Sequence, residues 1–100
     1  MSLKKITIDS LTSDKGSINF KNEFSVQIKT NDDGTLYFTQ NELYEMFNAK
    51  DEEEGKKILC EDLLDSIRDY YDVPASKLRS SMSKDINSAL KKYIKDYEIK

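Results

Sequence analysis

The segment Phe24-Ser25-Val26-Gln27-Ile28-Lys29 alternates apolar and polar side chains. A period of two places Phe24, Val26 and Ile28 on one face of a strand. Asn31-Asp32-Asp33-Gly34 follows, and these residue types tolerate the positive φ angles that tight turns need. Thr35-Leu36-Tyr37-Phe38 then reads as the returning strand, giving a hairpin over about 24–38. Lys5-Ile6-Thr7-Ile8 and Ser17-Ile18-Asn19-Phe20 are shorter strand candidates on either side of a Ser13–Gly16 turn. A single hairpin is marginal in water, so further strands or covering helices are required.

After the hairpin the apolar period lengthens. Thr39-Gln40-Asn41-Glu42 matches a capping box, and Phe38 and Leu43 occupy the positions of a hydrophobic staple. With Leu43, Met46 and Phe47 as its stripe, a short helix is predicted over about 40–48. Asp51-Glu52-Glu53-Glu54 supplies carboxylates for the positive end of a second helix over about 52–71. Its buried face is Leu59, Cys60, Leu63, Leu64, Ile67, Tyr70 and Tyr71, spaced by threes and fours. Pro74 disfavours helical geometry at Val73 and suits the first turn of a new helix. Leu78, Met82, Ile86, Ala89, Leu90, Tyr93, Ile94 and Tyr97 predict that helix over about 74–97, with a break near Ser83. The expected fold class is α+β: a small N-terminal antiparallel sheet of two to four strands, followed by three or four helices.

One hundred residues fit a single domain over 1–100 with one modest core. No apolar run approaches the ~20 residues of a membrane-spanning helix. Met1-Ser2-Leu3-Lys4-Lys5-Ile6 shows no apolar segment behind its lysines, and the lone cysteine has no internal disulfide partner. These features predict a cytoplasmic protein that does not engage membranes. The net charge of −3 hides an asymmetry. Residues 1–73 carry nine bases against sixteen acids, whereas residues 74–100 carry seven bases against three acids. The two ends are therefore suited to different partners, or to each other.

The search for reaction chemistry returns little. The chain has no histidine, which removes the commonest general base and metal ligand and forbids any internal Ser–His or Cys–His pair. Cys60 falls within an apolar helix face and reads as a core thiol. Gly16, Gly34 and Gly55 are too far apart in sequence for a phosphate-cradling loop. Asn31, Asp33 and Gly34 match inner positions of a calcium-binding EF-hand loop, but Lys29 and Gln40 stand where its first and last carboxylates belong. No pair among the nineteen acids is singled out by spacing. No cofactor, metal or small-molecule substrate is inferred, and the expectation is a binding protein, not an enzyme.

Two binding surfaces are suggested. Residues 64–84 resemble a helix-turn-helix: Ile67, Tyr71, Val73 and Leu78 match its apolar positions. Asp72 stands in the turn where glycine is usual, and Arg68 where a small residue normally lets the helices approach. The resemblance implies nucleic-acid contacts from Lys77, Arg79, Ser80 and Lys84 on a second, exposed helix. The alternative is a protein-binding adaptor or inhibitor, of the kind viruses and mobile elements encode, that can mimic nucleic acid. Glu61, Asp65 and Asp69 recur every four residues and, with Asp72, would form its acidic docking ridge. Self-association through some of the six tyrosines is a further expectation.

Overall fold

A computed structural model describes residues 3–100, with the side chain of Ala75 excepted; Met1 and Ser2 of the N-terminal reading lie outside the described residues. It contains β1 (Leu3–Thr7), β2 (Ser10–Ser13), β3 (Gly16–Phe20), β4 (Ser25–Thr30), β5 (Leu36–Gln40) and β6 (Glu45–Ala49). Helix α1 (Glu52–Ser66), helix α2 (Ser81–Tyr93) and β7 (Ile94–Ile99) follow. The strands form two antiparallel sheets, ordered β1-β4-β5-β6 and β2-β3-β7. The molecule is α+β, but a small sheet followed by three or four helices is not what the chain forms.

The hairpin is as its alternation indicates. Strands β4 and β5 pair Ile28 with Phe38 and Gln27 with Thr39. Gly34 closes the turn at φ 89°, donating its amide to the Asn31 carbonyl at 3.0 Å. The Asp33 carboxylate accepts from both the amide and the hydroxyl of Thr35, at 2.9 and 2.6 Å, and these bonds hold its carboxyl below the usual range.

The Ser13–Gly16 turn is also present, but it joins β2 to β3, and β2 is a strand that the sequence pattern did not indicate. β1 and β2 are nearly one continuous strand that bends at Ile8 and Asp9. The Ile8 amide donates to the Phe24 carbonyl at 2.8 Å, and the Phe20 amide donates to the Asp9 carbonyl at 2.9 Å. Across that bend the strand changes partner from β4 to β3. The two sheets thereby curl around a common hollow.

Helix α1 fills the hollow. Asp51 caps it by accepting the Glu54 amide at 2.8 Å, as the acidic start predicts. Gly55 lies against the Phe38 ring of the first sheet, and Leu64 Cδ1 lies against Gly16 of the second. Leu59, Cys60, Leu63 and Ile67 are essentially fully buried between them. The helix closes with a π-helical turn, Ile67–Tyr71, and Asn87 of α2 donates to the freed carbonyls of Tyr70 and Tyr71.

Two predicted helices are corrected. Over 40–48 there is only a single 3-10 turn, Asn41–Leu43, and then β6. The cap is the Gln40 side chain, accepting the Leu43 amide at 3.0 Å, not Thr39, which belongs to β5. Tyr44 adopts a left-handed φ of 58° and ends the turn. The Leu43–Met46–Phe47 spacing is helical, and the backbone pairing of β6 with β5 overrides it. Met46 accordingly points to solvent at 65% exposure.

The helix expected over 74–97 divides into three parts. A 3-10 turn, Ala75–Lys77, comes first, then α2, then β7. The break precedes Ser83: Ser80 is the N-cap, and Ser83 is its partner in a capping box. Only Ile86, Ala89, Leu90 and Tyr93 form the buried stripe of α2. Ile94 and Tyr97 have left the helix, and Tyr97 pairs with Ile18 of β3.

Gly55 is a tight constraint, because a Cβ there would overlap the ring of Phe38, itself 1% exposed. Gly55→Ala is expected to destabilise the fold by about 1–3 kcal/mol through overpacking, despite the ~1 kcal/mol that alanine gains over glycine in a helix. The urea-unfolding midpoint measures this, and adding Phe38→Leu is expected to recover part of the loss.

Candidate binding surfaces

The cationic residues singled out by sequence occupy one short stretch. Lys77 ends the 3-10 turn, Arg79 lies in the following loop, and Lys84 is in the first turn of α2. All three are exposed, and among the described residues none forms an ion pair. Ser80 is different: its hydroxyl accepts the Ser83 amide at 3.0 Å as the helix cap. The segment joining the two helical stretches runs over 72–80, longer than the three- or four-residue turn of a helix-turn-helix. Lys77 and Arg79 therefore do not lie on a second helix, and that motif is not formed. Leu78 nonetheless anchors the segment, being 7% exposed.

The acidic ridge is largely engaged within the molecule. Glu61 pairs with Lys15 at 3.6 Å, and Asp65 pairs with Arg68 one helical turn on. Asp72 accepts the Tyr97 hydroxyl at 3.3 Å, which ties the end of the π-helical turn to β7. Asp69 is exposed and forms no ion pair among the described residues. As exposed pairs these contacts contribute little stability, but they partly neutralise the ridge.

The tertiary structure creates two polar clusters that no sequence spacing signals. In the first, the Tyr93 hydroxyl donates to Glu42 at 2.5 Å, and Lys92 approaches the other oxygen of that carboxylate at 3.5 Å. Lys92 also sits 4.9 Å from the centre of the Tyr93 ring. The cluster fastens the 3-10 turn to α2, and the bond to Glu42 pushes the Tyr93 hydroxyl above its ordinary pKa.

The second cluster joins Glu45 of β6 to Asp62 of α1. Burial, and then the neighbouring Asp62 carboxylate, push Glu45 up to about 8. Its Oε1 is buried and receives no hydrogen bond among the described residues. The raised pKa keeps Glu45 protonated and neutral near pH 7, which lessens the cost of that burial. Asp62 is raised as well, chiefly by burial. The pair links β6 to α1.

One surface hollow lies between β2 and the start of α1. Its rim mixes Lys50, Lys57 and Lys100 with Asp51, Glu53 and Glu54, so it presents no single sign of charge. No cluster of three metal-ligating side chains exists among the described residues. Cys60 is 0% exposed, its Sγ lies 3.8 Å from the Gly16 carbonyl oxygen, and burial pushes its thiol up. None of the helices is long and apolar enough to cross a membrane. The chain matches no known protein family, and no curated protein or solved structure is similar to it.

Glu45 gives a pH signature. Its folded-state pKa of about 8 exceeds its ordinary 4.5, so the folded protein binds the proton more tightly than the unfolded chain does. The stability it contributes is complete below about pH 4.5 and is lost as pH rises through about 8. Glu45→Gln, which stays neutral, is expected to match the parent at the acidic end and to exceed it increasingly towards the alkaline end. Urea midpoints of both proteins across that range check the sign.

Proposed function

We propose that this protein is a non-catalytic binding module for nucleic acid, and that the exposed segment 77–84 supplies its phosphate contacts. The observation that carries this reading is the difference between the two charged surfaces. Lys77, Arg79 and Lys84 are exposed without ion pairs among the described residues, whereas most of the acidic ridge is occupied by internal partners. Cations without local partners can replace the counterions condensed on a polyanion, and release of those ions drives association.

Ser80 is left out of this reading because its hydroxyl serves the cap of α2. The contacts come from a loop and one helical turn, so they fit phosphates and not base edges in a groove. Affinity is accordingly modest and independent of sequence. The overall charge of −3 keeps weak, distant attraction small, which makes the local segment decisive.

Fluorescence anisotropy with labelled oligonucleotides at two salt concentrations tests the reading. Lys77→Glu with Arg79→Glu is expected to weaken binding at least tenfold at low salt and to flatten its salt dependence by roughly one unit of slope per lost phosphate contact. Unchanged binding by the double variant would exclude the segment. Binding lost instead on Asp65→Lys with Asp69→Lys would favour the acidic ridge and a protein partner.

A further inference from the structure

The sheet β1-β4-β5-β6 has two unlike faces. One is buried in the core through Val26, Ile28, Phe38 and Ala49. The other is set by register, since residues directly paired across antiparallel strands point the same way. Leu3, Lys29, Tyr37 and Asn48 form one row across all four strands, and Lys5, Gln27, Thr39 and Met46 form the next. Leu3, Lys5, Gln27, Met46 and Asn48 are exposed, and Lys29, Tyr37 and Thr39 are partly buried, so no residue of the two rows is fully buried.

The charges on this face are of one sign. Lys5 and Lys29 are the only ionisable groups of the two rows apart from the Tyr37 phenol, and neither lysine forms an ion pair among the described residues. The outer face of the second sheet is the reverse, with Asp96 and Glu98 in the rows Ser10–Asn19–Asp96 and Thr12–Ser17–Glu98. An acidic protein thus presents one open sheet face carrying cations and no carboxylate.

We infer that this open face binds single-stranded nucleic acid, with the Tyr37 ring as a stacking platform and Lys5 and Lys29 as phosphate contacts. Tyr37 stands on a central strand, directly beside Lys29 and Asn48. Lys5 and Lys29 are diagonal neighbours, roughly 7–8 Å apart at the backbone, close to the spacing of successive phosphates along an extended strand. Gln27 and Asn48 add amide groups for base edges.

A protein partner fits less well, because Leu3 and Met46 lie on opposite edge strands with polar and charged positions between them. They make no continuous apolar patch. A duplex fits less well too, because its bases are stacked on one another and unavailable to a tyrosine ring. The inference extends the nucleic-acid reading to a second surface, and its test separates the two.

A labelled oligo(dT) of roughly 12 nucleotides and a duplex of equal length are the probes. The wild-type protein is expected to prefer the single strand. Tyr37→Ala is expected to weaken that binding roughly five- to a hundredfold, as loss of one stacking ring does, while Tyr37→Phe retains it. Lys29→Gln is expected to lower the salt slope by about 0.7, the value for one single-strand phosphate. Unfolding midpoints of each variant report on the fold. Normal binding by a folded Tyr37→Ala variant, or preference for the duplex, would overturn the inference. If Lys77→Glu with Arg79→Glu then abolished binding, the segment reading would survive alone; loss with Tyr37→Ala and not with that double variant would leave the sheet face alone. No binding of either probe by the wild-type protein would remove both.

Discussion

The contact on which the structure depends is the seating of α1 inside a sheet bent back on itself. Two glycines make it possible. Gly55 lets the helix backbone meet the face of Phe38, and Gly16 leaves room for Leu64 while its own backbone approaches Glu98 of β7. Each removes one Cβ from a place where two elements of secondary structure meet. Without that approach, the two sheets would have no shared core to curl around. The π-helical turn and Asn87 then pass the same restraint on to α2.

Burial around α1 also accounts for the unusual electrostatics. Glu45 is drawn beneath the helix because β6 must pair with β5 to complete the sheet, and its partner at that depth is another acid, Asp62. Two carboxyl groups at close range share a proton, since both cannot ionise cheaply. The exposed ends of the molecule follow a different rule. There, acids find single basic partners, as Glu61 does with Lys15 and Glu42 with Lys92. Cations outside the ion pairs of the described residues include Lys77, Arg79 and Lys84 on one segment and Lys5 and Lys29 on the outer face of the first sheet.

The hairpin over 24–38, the Asn31–Gly34 turn and the acidic start of α1 are legible in the sequence, because each rests on residues a few positions apart. The buried face of α1 was legible for the same reason. The strand β2 was not, since Ser10-Leu11-Thr12-Ser13 has one large apolar residue and draws its ladder from β3. The segments 40–48 and 94–97 carry helical apolar spacing but do not form helices. Their apolar spacing by threes and fours favours a helix, and the pairing that overrides it comes from distant strands: Phe38 for Phe47, and Ile18 for Tyr97. The candidate sites follow the same division. Lys77, Arg79 and Lys84 are visible as a basic cluster, but their place outside a recognition helix depends on where Ser80 starts α2.

The sequence by itself determined the local geometry: the turn where Asn, Asp and Gly permit positive φ, the start of α1 at its acidic run, and the absence of histidine chemistry. Only the tertiary structure decided that the last strand closes the second sheet, that Glu45 and Asp62 meet, and that Lys5, Lys29 and Tyr37 share an open face. The physical reason is the range of the forces involved. Capping and turn bonds act within about four residues, whereas strand register and burial join positions that only the folded chain brings together.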